Sequence, residues 1–197
     1  MIVLGIETSC DETSVALVSE AGPLLEKTAL QEDVHSLFGG VVPELASREH
    51  LRLLSPLCET LFAQAGISPA DLGAVAVARG PGLLGSLLVG LGFAKGLCLG
   101  AGVPLVGVNH LHAHLLAAGI DQDIAYPALG LLVSGGHTQI WRMTSDLEFT
   151  LLGRTLDDAA GEAFDKSAKM LGLPYPGGRH VVLLGQGVEP DHSLYPL

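Results

Sequence analysis

The chain has 197 residues, enough for one good core or two small lobes, with 48% apolar side chains and 26 glycines. Its formal net charge of −11 excludes a general nucleic-acid binder, so an RNA substrate must meet a local basic patch or one supplied by a partner. Cys10, Cys58 and Cys98 are odd in number, widely spaced and without a C-x-x-C pair, which excludes a disulfide framework and suits a reduced cytoplasmic setting.

The aliphatic run Ile2–Ile6 predicts a buried strand, and Ser14–Val18 a second, with the polar loop Glu7–Thr13 between them. The acids at Glu7 and Asp11, and the lack of a basic start, exclude a secretory signal. Leu24–Leu30 reads as a third strand. Pro43 opens a helix that reaches Ala65 and stops at Gly66, and Pro56 is expected to kink or split it. Ser68–Asp71 begins another helix, Gly73–Ala78 is a strand, and Gly80-Pro81-Gly82 is a turn before a helix over Leu83–Leu99. Val103–Val108 reads as a buried strand and His110–Ala118 as a short helix. Between Gly80 and Asn109 the only charge is Lys95, but glycines and Pro104 break the run, so a buried helix and strand are expected rather than a membrane span.

The pattern then restarts. Ala128–Val133 is a strand, Ser134–Thr138 a tight polar turn, and Gln139–Met143 and Glu148–Leu152 are further strands. Thr155 and Asp158 offer a capping box for a helix running to about Leu171, stopped by Gly172. Strand, polar turn, strand, strand, helix thus occurs twice, from residue 2 and from near residue 128. Such a duplication suits a two-lobed nucleotide clamp, each turn offering backbone N–H groups to a phosphate.

Several motifs carry chemistry. In His110-Leu111-His112-Ala113-His114, helical spacing sets His110 and His114 on one face, where two imidazoles can bind one metal ion. His112 points away, and Leu111 replaces the glutamate that H-E-x-x-H would need. The turn Ser134-Gly135-Gly136-His137-Thr138 carries more polar groups than a hairpin requires, and its glycines let backbone approach a ligand. Asp11 and Glu12 can position a metal-bound or polar ligand group or simply belong to a solvated hairpin loop, whereas Cys10 reads as a packed residue rather than a nucleophile. Asp158, Glu162 and Asp165 fall near one helical face, where a carboxylate could accept ribose hydroxyls or simply pair with Lys166. Gly80–Ser86 lacks the G-K-[ST] ending of a phosphate loop and reads as close helix packing.

The chain resembles the TsaD (Gcp) family along residues 3 to about 178. The resemblance is carried by Gly5–Thr13, Gly39–Arg48, Gly80–Leu83, the H-x-x-x-H at His110 and His114, Leu132–Thr138, Asp157–Lys166 and Tyr175–Gly178. It implies an α/β fold of the actin/Hsp70/sugar-kinase (ASKHA) class: a first RNase-H-like lobe over residues 1–108, a connecting metal-binding helix and loop over 109–127, and the start of a second lobe over 128–197. Members transfer the threonylcarbamoyl group from threonylcarbamoyl-AMP to N6 of the adenosine next to the anticodon, position 37, of tRNAs reading ANN codons. His110 and His114 match the family's histidine ligands for one divalent ion, Fe2+ or Zn2+. Leu132, Val133, Ser134, Gly135, Gly136, Asp165 and Gly178 match its adenylate-holding positions. The implied partners are tRNA, a TsaB-like paralog and a TsaE-like ATPase, with no membrane. The family's acidic third metal ligand lies past the position matching Leu197, and Arg179 replaces its usual proline. A non-catalytic scaffold like the family's shorter paralogs, or an inactive fragment, is the alternative. A metallopeptidase is disfavoured by the missing H-E-x-x-H.

Overall fold

The structure is a computed structural model that describes residues 1–31, 35, 37, 38, 40–189 and 193. Gly39 of the second family motif, and residues 190–192 and 194–197 of the expected second lobe, lie outside the described residues.

Strand β1 (Ile2–Glu7), β2 (Glu12–Ser19) and β3 (Gly22–Leu30) form an antiparallel meander, and β4 (Ala74–Gly80) and β5 (Leu105–Asn109) extend it in parallel, giving the order β3-β2-β1-β4-β5. Two long helices, α1 (Pro43–Ala65) and α2 (Leu84–Ala101), make the connections that parallel pairing requires. Alternation decides which strand face they cover: Leu4, Ile6, Val15, Leu17, Val75 and Val77 turn inward against Leu54, Leu61 and Ala94. Burying each such leucine or valine is worth about 1.5–3 kcal/mol, so this cluster holds the larger half of the molecule together.

Helix α1 runs unbroken through Pro56, against the expected kink or split. Its buried face, Ala46, His50, Leu54, Cys58, Leu61 and Phe62, continues on both sides of the proline, and that packing outweighs one lost backbone bond. Gly66 ends the helix in the left-handed conformation, donating to the carbonyls of Phe62 and Ala63 through the turn that follows. The expected helix at Ser68 is only a single 3-10 turn, Pro69–Asp71. Helix α2 is long and apolar enough to cross a membrane by length and composition alone, but Ala94 and Cys98 pack into the sheet core. Strand β5 is not buried as expected: it is the sheet edge, and Val106 is half exposed.

Asn109 caps the short helix α3 (His110–Leu116), its side-chain oxygen accepting from the N–H groups of Leu111 and His112. A second sheet follows, β6 (Ala128–Val133), β7 (Thr138–Ser145) and β8 (Glu148–Arg154), antiparallel in the order β6-β7-β8. One face of it packs on α3 through Leu132 and Met143 against Leu111 and Leu115. Gly130 admits this approach, since a Cβ there would sit 2.6 Å from a Leu115 methyl. The other face leaves Leu129, Leu131 and Val133 largely exposed. Helix α4 (Ala160–Met170) starts later than the capping box predicts: Thr155 bonds the Asp158 carbonyl, and Thr138 of β7 accepts the Ala160 N–H instead. Helix α5 (Gly177–Gly185) packs across α4, where Gly177 stands so close to Ala168 that a Cβ would meet it at 2.2 Å.

Candidate metal and nucleotide site

The two meanders place their first hairpin turns on one cleft of ≈ 1090 Å³. Cys10, Asp11 and Glu12 line it from the β1–β2 turn, and Ser134, Gly135, Gly136 and His137 from the β6–β7 turn. Helix α3 contributes His110 and His114, and α4 contributes Glu162, Asp165, Lys166 and Lys169.

His110 and His114 meet as the helical spacing requires. Their Nε2 atoms are 3.2 Å apart and their rings are nearly perpendicular, at 81°. Two ligand nitrogens on one tetrahedral ion with ordinary zinc–imidazole bonds are separated by about 3.3 Å, so the pair fits a shared metal without rearrangement. Behind it stands Glu7, the last residue of β1. Its Oε2 lies 3.0 Å from His110 Nδ1, while its Oε1 accepts the Ser9 N–H in a short bond. A carboxylate can only accept, so Nδ1 carries the proton and Nε2 is left as a free ligand lone pair. This is the carboxylate–imidazole arrangement that orients metal-binding histidines. The Ser9 hydroxyl adds a second contact to the same Nδ1 at 3.2 Å. Burial alone pushes the Glu7 carboxyl up, but its bonds to His110 and Ser9 outweigh that and hold it below its ordinary value. Burial first, and then the neighbouring His110, lower the His114 pKa and favour its neutral, ligating form. Among the described residues no group of three or more histidine, cysteine or acidic side chains is assembled for a metal, so the pair offers two positions of a coordination shell.

In the sequence Glu7 reads as an acid of a polar loop, with no partner indicated. The signal was present: a carboxylate closing an aliphatic strand has to find a partner if it is to be half buried. What the sequence could not supply was the parallel stacking of β4 and β5 beside β1, which brings the start of α3 to its end.

The Ser134–His137 turn is closed by backbone and side-chain bonds. Ser134 N–H donates to the His137 carbonyl at 2.8 Å, and Ser134 Oγ accepts the His137 N–H at 3.0 Å. Neither Gly135 nor Gly136 has a positive φ, and a Cβ on either would meet nothing within 4 Å. The turn itself therefore does not need glycine; their effect is to leave bare backbone facing the cleft. Gly161 is the opposite case, because a Cβ there would strike Ser134 O at 2.8 Å and the Gly135 backbone at 2.9 Å. The start of α4 is thus held directly against the turn, with Gly161 N–H donating to Ser134 O. Asp165 lies on the cleft wall, where its Oδ1 accepts the Gly177 N–H at 2.7 Å.

The other positions matched by the resemblance separate by strand alternation. Leu132 turns into the core on α3, and Val133 faces outward from the second sheet. Gly178 follows the cleft-lining Gly177 and packs near Phe164. Asp158 and Glu162 both pair with Lys166. The close helix packing expected of the Gly80–Ser86 segment is found at Gly85, where a Cβ would lie 2.4 Å from Ser47 Oγ, and it continues at Gly90, where one would lie 2.3 Å from Thr8 Oγ1. Cys10 is exposed on the cleft rather than packed as expected, because the β1–β2 turn carries it out of the core; desolvation by the cleft walls and then the neighbouring Asp11 push its thiol up to about 12, which holds it as the thiol at neutral pH. His112 turns to the opposite side of α3, where it stacks on Phe149 with ring centroids 4.0 Å apart and meets Trp141 edge-on.

Comparison with solved structures shows the fold. The chain is similar to YeaZ from Pseudomonas aeruginosa, at TM-score 0.53 and 22% identity over 77% of this chain and 64% of that one. It is also similar to the ethanolamine utilization protein EutJ from Carboxydothermus hydrogenoformans, at TM-score 0.55 and 17% identity over 92% and 61%. These neighbours support the expected α/β fold of the actin/Hsp70/sugar-kinase class. Among curated proteins, the tRNA N6-adenosine threonylcarbamoyltransferase of Solidesulfovibrio magneticus is 68% identical over 196 residues, all of this chain but 53% of the relative. That of Nitratidesulfovibrio vulgaris is 63% identical over 196 residues, covering 54% of the relative. The chain spans about half the length of the curated relatives it matches. Residues 23–193 match the family described as TsaD, tRNA N6-adenosine threonylcarbamoyltransferase, and the chain belongs to that family.

Proposed function

We propose that this chain forms the metal- and adenylate-binding part of an enzyme that moves a threonylcarbamoyl group from threonylcarbamoyl-AMP to N6 of the adenosine at position 37, next to the anticodon, in tRNAs reading ANN codons. The carrying observation is the convergence of His110, His114, the bare Ser134–Gly136 turn, Asp165 and the Asp11–Glu12 loop on one cleft. The donor is a mixed carbamic–phosphoric anhydride. The adenosine amine forms a bond to the carbamoyl carbon, the bond from that carbon to the phosphate oxygen breaks, and AMP leaves with the electron pair. AMP is a good leaving group, so the protein's work is positioning and charge stabilisation rather than nucleophilic attack.

Each wall of the cleft has a task in this reaction. The Ser134–Gly136 backbone admits the adenylate closely, and Asp165 is placed to orient it. Asp11 and Glu12, on the facing turn, accept the amine proton or orient the attacking amine. His110 and His114 would hold a divalent iron or zinc ion, which would supply positive charge against the charge that develops on the leaving phosphate. Glu7 keeps the His110 lone pair aimed at that position. The substrate tRNA is polyanionic and this chain is acidic, so a TsaB-like paralog and a TsaE-like ATPase are the partners proposed to complete the assembly, in the cytoplasm and away from membranes.

The test is transfer by the natural full-length chain with its partners, threonylcarbamoyl-AMP and unmodified tRNA, read as modified nucleoside in a tRNA digest. The wild type is expected to form product, and a His110→Ala/His114→Ala variant to lose both bound metal and product. Adenylate binding without transfer in the wild type would favour the scaffold reading instead.

A further inference from the structure

Two histidines lie fully buried away from the metal pair. His50 on α1 and His35 in the β3–α1 connection are each 0% exposed. Their bonds run in one direction. The Cys10 carbonyl can only accept, so His50 Nε2, 2.9 Å away, carries the proton. His50 Nδ1 is then an acceptor, and it takes the Thr13 hydroxyl at 2.7 Å and the Gln31 amide at 3.4 Å. At the far end the Val42 N–H can only donate, so His35 Nδ1 accepts it, and His35 Nε2 donates to Gln31 Oε1 at 3.3 Å. Burial lowers the His50 pKa, which keeps the ring neutral as this pattern needs.

One end of this chain of bonds, Cys10, lines the cleft, and the other, Val42, adjoins it. Cys10, Asp11 and Glu12 form one rim, and Gly40 and Val41, next to Val42, line another. We infer that His50 is a positioning residue: it holds the Cys10–Glu12 turn in register with the Gly40–Val42 rim through Gln31 and His35. Resting on the function proposed above, this gives His50 a role in transfer although it touches no substrate. Two features favour positioning over plain core filling. An apolar residue would fill the same volume beside Leu54 without bonding both sides of the turn. The two shortest bonds, to Thr13 and Cys10, also bracket the two carboxylates in sequence.

The experiment uses the full-length chain with His50→Phe and His50→Gln. Phe keeps the bulk and removes all three bonds, whereas Gln retains a donor for the Cys10 carbonyl and an acceptor. Expected for His50→Phe are metal content equal to wild type, loss of amide-exchange protection at residues 10–13, and kcat lower by about 10- to 100-fold, the scale of a misplaced reacting group. His50→Gln is expected to recover most of both losses. Wild-type protection and kcat in His50→Phe would overturn the inference, as would equal losses in the two variants, which is the mark of a merely structural role. Nitrogen NMR of the wild type gives an independent check: an Nδ1-protonated His50 would also overturn it. Exchange and tautomer are read without turnover, so if the wild type fails to transfer, the function proposal falls while the positioning inference is still decided.

Discussion

Glu7 and the histidine pair show how much one carboxylate at a strand end can settle. Its bond to His110 fixes which ring nitrogen is protonated and therefore which is free to bind metal. Glu7→Gln keeps the shape but replaces a charged acceptor by a neutral amide that can also flip. Metal affinity measured by competition with a chelator is expected to fall by about 10- to 100-fold, with little change in thermal stability. An unchanged affinity would mean that the ring is oriented by Ser9 and helix geometry alone. The His110–His114 spacing was legible because 3.6 residues per turn is a local property. Glu7 was not, because its partner is 103 positions away in the chain.

At the scale of elements, the contact between the β6–β7 turn and α4 decides how the side of the cleft proposed to hold the adenylate is built. Helix propensity alone makes Gly161→Ala stabilising, since alanine restricts the unfolded chain more than glycine does. The contact geometry predicts the reverse sign, because the new methyl would strike backbone atoms of Ser134 and Gly135, which cannot rotate aside. Urea unfolding of Gly161→Ala is expected to show a loss of about 1–3 kcal/mol, together with weaker AMP binding. A gain in stability would show that α4 does not press on the turn. The misplaced capping box belongs to the same scale. Thr155 and Asp158 bond each other in the loop, while a residue of another strand, Thr138, takes the helix's first N–H. Pro56 is similar: intrinsic preference predicted a break in α1, and a continuous buried face on both sides of the residue kept the helix whole.

Across the whole molecule, acid sensitivity is the property that four imidazoles share, although only His50 is fully buried and His114 is exposed. Burial is the first cause lowering the pKa of His50, His112, His114 and His137, so the unfolded chain takes up protons that the folded one resists. Their contribution to stability is complete above the ordinary imidazole value of 6.5 and is lost as pH falls from there toward the folded values. Thermal melts of metal-free protein are expected to show Tm falling between neutral pH and pH 5, more steeply in wild type than in His50→Gln. A Tm flat over that interval would show that these rings are hydrated in the folded state. At the same scale the repeated strand–turn–strand–strand–helix pattern became two meanders whose first turns face one another across the cleft.

The sequence by itself determined what depends on near neighbours and periodicity: most strands and helices, the duplicated plan, the pairing of His110 with His114 on one helix face, and the motifs that identify the family. Tertiary structure alone decided what depends on pairs distant in sequence. It joined Glu7 to His110, set His50 between Thr13 and the Cys10 carbonyl, and divided Leu132 and Val133 between core and surface. The reason is physical. Residue order specifies which groups need partners, but a half-buried carboxylate or imidazole is satisfied by whichever donor or acceptor the packed sheets bring within about 3 Å, and that proximity is set by the fold.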